Sequence, residues 1–79
     1  MTAEEPAGAR YAVTLAEADV GRRVVVRRRL PDGRLSDLLG VLQRWDDEVV
    51  VRDRSGALRT AARADVVAAK RVPPPPVRR

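Results

Sequence analysis

The residues of this chain that could take part in catalysis are few, and their spacing forms no reaction centre. The 79 residues include neither Cys nor His, which removes thiol nucleophiles, most zinc sites and the usual proton carrier at neutral pH. Ser36 and Ser55 therefore have no histidine to activate them, and Lys70 is the single lysine. The acidic run at residues 46–48 lacks the spaced oxygen ligands of a calcium loop. We predict no catalytic residue, no cofactor and no metal site.

The arginine-rich stretch GRRVVVRRRLPDGRL, residues 21–35, is the best candidate for a binding surface. Six arginines surround three consecutive valines in this stretch. Such a surface could contact a partner protein or the phosphates of a nucleic acid, and a tryptophan at the rim could stack on a base or on a proline-rich peptide. The candidate contact residues are Arg23, Arg27, Arg28, Arg29, Arg34 and Trp45.

The distribution of charge makes nucleic acid the less favoured partner. The chain carries a net charge of +5, but residues 13–69 contain eleven arginines against nine acidic residues. Most of the excess lies in residues 70–79, which have four basic residues and no acidic one. A dedicated nucleic-acid domain has a strongly basic face within its fold. A solvated strand face, with Asp37, Glu48 and Asp53 as ion-pair neighbours, explains the arginines more simply.

The apolar pattern predicts five short strands separated by tight turns, and no helix long enough to be stable alone. Glycine, proline and aspartate mark the turns. A single turn, with Thr14 and Glu17 spaced as a capping box, should lead into the first strand. A second short turn is expected around Asp65. The predicted strands cover residues 23–30, 35–45, 48–54, 58–62 and 66–72.

The chain contains no Phe, one Trp and one Tyr, so its core must consist of valine, leucine and alanine. Small side chains suit a narrow barrel. We predict an all-β fold, a small five-stranded SH3-like barrel; an OB-fold usually needs longer strands and a helix. Residues 1–12 are expected to form a flexible leader, residues 13–72 the barrel, and residues 73–79 a proline-rich linker or tail.

Strand periodicity divides the side chains of the first strand between two faces. Val24 and Val26 should point into the core, whereas Arg23 and Arg27 should point away from it. Arg28 has the inward parity, so we expect it beyond the core, at the barrel rim or at a bulge. In the second strand, Gly40 suggests a bend or bulge, and Trp45 is favoured as a core residue over a rim aromatic.

No apolar run approaches the roughly 20 residues of a membrane span. The first ten residues, MTAEEPAGAR, lack the basic and apolar regions of a signal peptide. We therefore expect a cytoplasmic protein that does not contact membranes. The oligomeric state is not indicated by the sequence.

Four segments carry a resemblance to a known family: ADVGRRVVVR, LSDLLGVLQRWDD, RSGALRT and ADVVAAKRVPPPP. Together they resemble the N-terminal SH3-like domain of actinobacterial GNAT-family, histone-acetyltransferase-like N-acetyltransferases, over residues 13–79. The resemblance implies that the last segment closes a barrel and begins a linker to a catalytic domain. The acetyl-CoA loop pattern R/Q-x-x-G-x-G/A does not occur in this chain, so the resemblance does not extend to the enzyme.

The expectation is therefore a non-catalytic accessory module that positions a GNAT catalytic domain, in cis or in trans, or binds another protein. The alternative is a free-standing basic barrel that binds nucleic acid through its arginine-rich strand face.

Overall fold

The computed structural model describes residues 12–73, so most of the predicted leader and tail, residues 1–11 and 74–79, lie outside it. Five strands and two 3-10 turns make up this region. The strands are β1 (Arg23–Arg29), β2 (Leu35–Trp45), β3 (Glu48–Arg52), β4 (Leu58–Ala62) and β5 (Val66–Arg71), and the 3-10 turns are Glu17–Asp19 and Arg63–Asp65. The predicted all-β fold is confirmed. No helix within residues 12–73 is long and apolar enough to cross a membrane.

All five strands belong to one antiparallel sheet, in the order β4-β3-β2-β1-β5. Hairpin turns join each of the first four strands to the next, and β5 returns to pair with β1. Glycines in the left-handed region, Gly33 (φ 89°) and Gly56 (φ 91°), form two of the hairpin turns, because only glycine adopts such φ values without strain. The chain therefore turns where the sequence predicted.

The predicted bounds of β2 and β4 agree with the structure, whereas β1, β3 and β5 end one or two residues earlier than expected. The end of β3 has a clear local cause. The carboxylate of Asp53 accepts hydrogen bonds from the amides of Ser55 (2.9 Å) and Ala57 (3.1 Å). These bonds fold the chain into a turn immediately after Arg52, so the strand cannot continue to Arg54.

Within residues 12–73 the buried core consists of valine, leucine and alanine, as predicted. Its largest fully buried side chain is Leu42. The backbone of Leu42 also holds the segment before β1. Its carbonyl accepts a hydrogen bond from the Gly21 amide (2.8 Å), and its amide donates one to the carbonyl of Arg22 (2.9 Å). The buried residues are Leu15, Val24, Val26, Leu38, Leu42, Val49, Val51, Ala61, Val66 and Ala69.

A β-bulge in β2 changes the parity of the strand. The register against β3 shifts between Leu42 and Arg44, so Leu42 pairs with Val51 and Trp45 pairs with Val49. Since Val49 and Val51 are both buried, Trp45 points to the same face as Leu42. It is half-buried and packs against the core without belonging to its buried residues, so the favoured prediction of a core residue holds only in part.

Gly40 has a different role from the predicted bend. The register shift lies beyond it, between Leu42 and Arg44. Gly40 itself is buried, and a Cβ at this position would overlap the backbone carbonyl of Arg52 and lie against the Cα of Asp53. The chain leaving β3 therefore passes directly over Gly40, and the glycine is needed for close backbone approach.

The predicted capping box of Thr14 and Glu17 is wrong. The hydroxyl of Thr14 donates instead to the carbonyl of Ala69 (2.9 Å), because residues 12–14 run beside β5, where Val13 and Ala69 form a parallel bridge. The carboxylate of Asp19 takes the capping role and accepts from the amide of Ala16 (2.9 Å).

Candidate interaction surface

The predicted contact residue Arg27 lies on the outer face of the sheet and is engaged by a carboxylate. Its Nε donates to Asp37 Oδ1 (2.8 Å) and its Nη2 to Asp37 Oδ2 (3.1 Å). The two residues are cross-strand partners in the β1–β2 ladder. This confirms the ion pair that was expected across the first hairpin. Because both side chains are more than 40% exposed, the pair stabilises the fold by no more than about 1 kcal/mol.

The other predicted arginines of β1 and its turn are spread over the surface. Arg34 donates to Asp32 Oδ2 (2.7 Å) within the β1–β2 turn. Arg23 and Arg29 are exposed at opposite ends of β1, and neither has an ion-pair partner among residues 12–73. The structure thus does not gather these residues into one patch.

Arg28 lies at a β-bulge near the rim of the sheet, as its parity predicted. The register of β1 against β5 shifts between Arg27 and Arg28. Its Nη1 donates to the carbonyl of Thr60 in β4 (2.9 Å), and its Nε is buried without a hydrogen-bond partner among the described residues. Because β1 and β4 are not neighbours in the sheet, Arg28 joins two strands that no ladder connects.

We predict that Arg28→Met destabilises the chain by about 2 kcal/mol. Methionine keeps an apolar stem but removes the charge-assisted hydrogen bond to β4. Urea unfolding followed by the fluorescence of Trp45 measures the loss. Arg29→Met is the matched control and should change stability by less than about 0.5 kcal/mol, since Arg29 is exposed. Equal losses in the two variants would contradict a bridging role for Arg28.

Trp45, the aromatic candidate, is covered on one side by the side chain of Arg63. The guanidinium of Arg63 lies 5.0 Å from the centre of the indole ring, which is within the range of a cation–π interaction. Arg63 begins the 3-10 turn before β5, and its amide donates to the carbonyl of Asp47 (2.9 Å). The ring therefore packs against the core and a fixed arginine rather than standing free at the rim.

The outer face of the sheet carries apolar side chains that the sequence reasoning did not select. Leu39 is 48% exposed and Val41 is 37% exposed. Leu39 lies opposite the half-buried Val25. Cations flank this apolar centre, because Val25 pairs with Lys70 and Val41 pairs with Arg23 on one side and Arg52 on the other. We call these six residues the outer patch: Val25, Leu39, Val41, Arg23, Arg52 and Lys70.

The outer patch contains no carboxylate, and the nearest one on the same face, Asp37, is bonded to Arg27. A surface with an apolar centre and cationic edges is suited to a protein partner with an apolar centre and acidic edges. A signal for this patch was present in the sequence. Strand β2 has leucine or valine at both parities, which indicates that both faces of the strand are apolar.

The carboxylates of the hairpins are stabilised in their charged form. The Arg27 hydrogen bond lowers the pKa of Asp37 below its usual 3.8. The backbone amide of Glu48, followed by Arg44, lowers the pKa of Asp46. The hydroxyl of Ser55, which donates to Asp53 Oδ1 (2.6 Å), lowers the pKa of Asp53 most, and the amide of Ala57 adds to the effect. Each carboxylate thus fixes a turn or a strand pair.

These shifts predict that the chain loses stability in acid. A carboxylate whose pKa is lower when folded stabilises the fold fully above the pKa of the unfolded chain, which is close to 3.8. The contribution is lost as the pH falls from about 5 through the lower, folded pKa. We expect the urea midpoint to be constant from about pH 5 to 7 and to fall below about pH 4. Ser55→Ala and Asp37→Asn should each make this fall less steep, and an unchanged profile in both would contradict the prediction.

Within residues 12–73, no group of three or more Asp, Glu, His or Cys side chains is arranged to hold a metal ion. The acidic residues that follow β2 are instead used in the hairpin. Arg44 donates to Asp46 (2.8 Å) and to Glu48 (3.2 Å).

Comparison with known proteins identifies a family. The family model described as the Rv0428c N-terminal Sm-like domain matches residues 18–70, which is more than half of the chain. A search among curated proteins found no match. A search among solved structures found none either.

Proposed function

Because the chain belongs to the Rv0428c N-terminal Sm-like domain family, we propose that it is a non-catalytic interaction module. The name of the family places the domain at the N-terminus of the protein after which the family is named. By analogy, we propose that the domain is an SH3-like barrel and that it works together with a further domain. We propose that the further domain is a GNAT-type N-acetyltransferase catalytic domain, encoded in the same chain or separately. The resemblance of ADVVAAKRVPPPP to the barrel-closing and linker segment of such enzymes supports this partner.

The observation that carries the proposal is the outer patch. Leu39 and Val41 are exposed leucine and valine side chains at the centre of a regular sheet face. Burial of apolar area at such a site is the main favourable term in protein association, at about 25 cal/mol per Å². The flanking cations, Arg23, Arg52 and Lys70, would orient an acidic-edged partner and increase its association rate.

The nucleic-acid alternative has less support from the arrangement of the arginines. Binding along a strand face requires several guanidinium groups that are available to phosphates. Arg27 and Arg34 are bonded to carboxylates, and Arg28 to the Thr60 carbonyl. A phosphate would have to displace these partners.

The first test concerns the gene and the chemistry of the isolated chain. The DNA that encodes this chain should encode a GNAT-type catalytic domain in the same reading frame or in an adjacent gene. The 79-residue chain alone should release no coenzyme A thiol from acetyl-CoA in the presence of amine acceptors. Turnover by the isolated chain, or the absence of a catalytic domain from both positions, contradicts the proposal.

The second test concerns the surface. Calorimetric titration of the catalytic domain with the module should show saturable binding, and Val41→Asp should weaken it at least tenfold, because the new carboxylate would be buried against the apolar centre of the partner. Val20→Asp is the matched control: Val20 is 44% exposed and lies outside the outer patch. It should change the affinity less than twofold. Circular dichroism establishes that both variants are folded, and equal effects of the two would exclude the outer patch as the interface.

A further inference from the structure

A second surface, outside the apolar centre of the outer patch, lies where β1 begins and β5 ends. A groove of about 500 Å³ opens there, and three arginines line it: Arg22, Arg23 and Arg71. The remaining lining residues are Gly21, Val72 and Pro73. The antiparallel pairing of β1 with β5, in which Val24 lies opposite Arg71, places the start of β1 beside the end of β5.

The arginines of the groove are less closely paired with carboxylates than several arginines elsewhere in the domain. Elsewhere, Arg27, Arg34 and Arg44 each hold a carboxylate at 2.7–2.8 Å. In the groove, the one acidic neighbour is Asp19, which is 3.6 Å from Arg71. Arg22 and Arg23 have no carboxylate within 4.0 Å among residues 12–73. Adjacent like charges repel each other, so an anion placed between them lowers the electrostatic energy.

The backbone fixes the positions from which these side chains extend. The amide of Arg22 donates to the carbonyl of Asp19 (2.9 Å), and the amide of Val72 donates to the carbonyl of Arg23 (2.9 Å). These amides are therefore occupied within the fold. The donors that remain available to a ligand are the guanidinium groups, which bind phosphate oxygens in pairs.

We propose that this groove binds the diphosphate group of a small ligand. Three guanidinium groups and the carboxylate of Asp19 give a local charge of about +2, which matches a diphosphate rather than a single carboxylate. Two adjacent phosphates span neighbouring guanidinium groups, as fork-shaped donors require. Val72 and Pro73 supply an apolar wall for the part of the ligand beyond the phosphates.

The surroundings of the groove favour a small ligand over a nucleic acid. A nucleic acid needs a basic track that follows its backbone over several phosphates. Further along β1, Arg27 is bonded to Asp37, and Val25, the residue between Arg23 and Arg27 on this face, is apolar. Arg23 and Arg29, the exposed arginines of β1 without an ion-pair partner among residues 12–73, thus lie at opposite ends of the strand rather than along a continuous track.

The test uses inorganic pyrophosphate as the probe, titrated into the full chain at constant ionic strength and followed by amide chemical shifts. We expect saturable shifts confined to residues 21–23 and to residues 71 and 72. The double variant Arg22→Gln/Arg23→Gln should weaken binding at least tenfold. Arg29→Gln/Arg54→Gln removes the same net charge elsewhere, from two exposed arginines without an ion-pair partner among residues 12–73, and should change the affinity less than twofold.

Two results would overturn the proposal. Equal weakening in both double variants would mean that pyrophosphate responds to net charge alone. Binding of a single-stranded oligonucleotide more tightly than pyrophosphate, with a log affinity against log salt slope steeper than about −2, would mean more than three phosphate contacts and an extended nucleic-acid site. Neither result depends on the acetyltransferase partner, so this inference and the proposed function fail separately.

Discussion

Gly40→Ala should lower the free energy of unfolding by about 3 kcal/mol, which is at the upper end for an overpacked site. The added Cβ would overlap the carbonyl of Arg52 and lie against the Cα of Asp53. Both are backbone groups, so no side-chain rotation relieves the overlap, and β2 and β3 must separate. A domain of about 60 residues without disulfides or metal has roughly 3–5 kcal/mol of stability in total. The variant should therefore retain only about 0–2 kcal/mol of stability, so that circular dichroism and Trp45 fluorescence detect an unfolded fraction even in the absence of denaturant.

Gly33→Ala is the control that distinguishes two reasons for a glycine: close contact with a neighbouring backbone, as at Gly40, and a positive φ, as at Gly33. Gly33 has a φ of 89°, but an added Cβ there would meet no heavy atom within 4 Å. Its cost is the strain of a left-handed alanine, about 1–2 kcal/mol. Gly40 has no such φ, so the loss in Gly40→Ala must come from contact with β3. A Gly40→Ala variant that is more stable than Gly33→Ala would show that β3 moves away at little cost.

Local sequence signals were sufficient to predict most of the architecture. Turn residues such as Gly33 and Gly56 impose their conformation on the chain immediately around them, which is why β2 and β4 were placed correctly. The bulge after Leu42 could not be predicted in the same way, because it depends on how β2 meets β3 across the sheet. It changes the side of the sheet to which Trp45 points, so strand parity alone is insufficient beyond it.

The candidate site was less predictable than the fold, for a physical reason. Strand parity determines the face to which a side chain points, and it identified Arg28 as exceptional. It does not determine which carboxylate lies across the sheet or whether a face is covered by other elements. The exposed centre of Leu39 and Val41 and the meeting of Arg22 with Arg71 both arise from pairing between strands. Leucine and valine at both parities of β2 indicate that both of its faces are apolar, but the spacing of neighbouring residues does not show which cations lie across the sheet from them.

Leu42→Ala should lower the free energy of unfolding about as much as Gly40→Ala, but by creating a cavity instead of an overlap. Leu42 is the largest fully buried side chain, so its truncation leaves a cavity in the core. We expect a loss of about 3–4 kcal/mol, within the 2–5 kcal/mol typical of buried leucine. Leu39→Ala makes the same chemical change three residues earlier in β2, at a side chain that is 48% exposed, and should cost less than about 1 kcal/mol. Urea unfolding of the pair provides the measurement, and losses within 1 kcal/mol of each other would mean that the two faces of β2 are not distinguished by burial. Because Leu39 belongs to the outer patch, a folded Leu39→Ala variant with weakened partner binding would also show that this strand divides stability and recognition between its two faces.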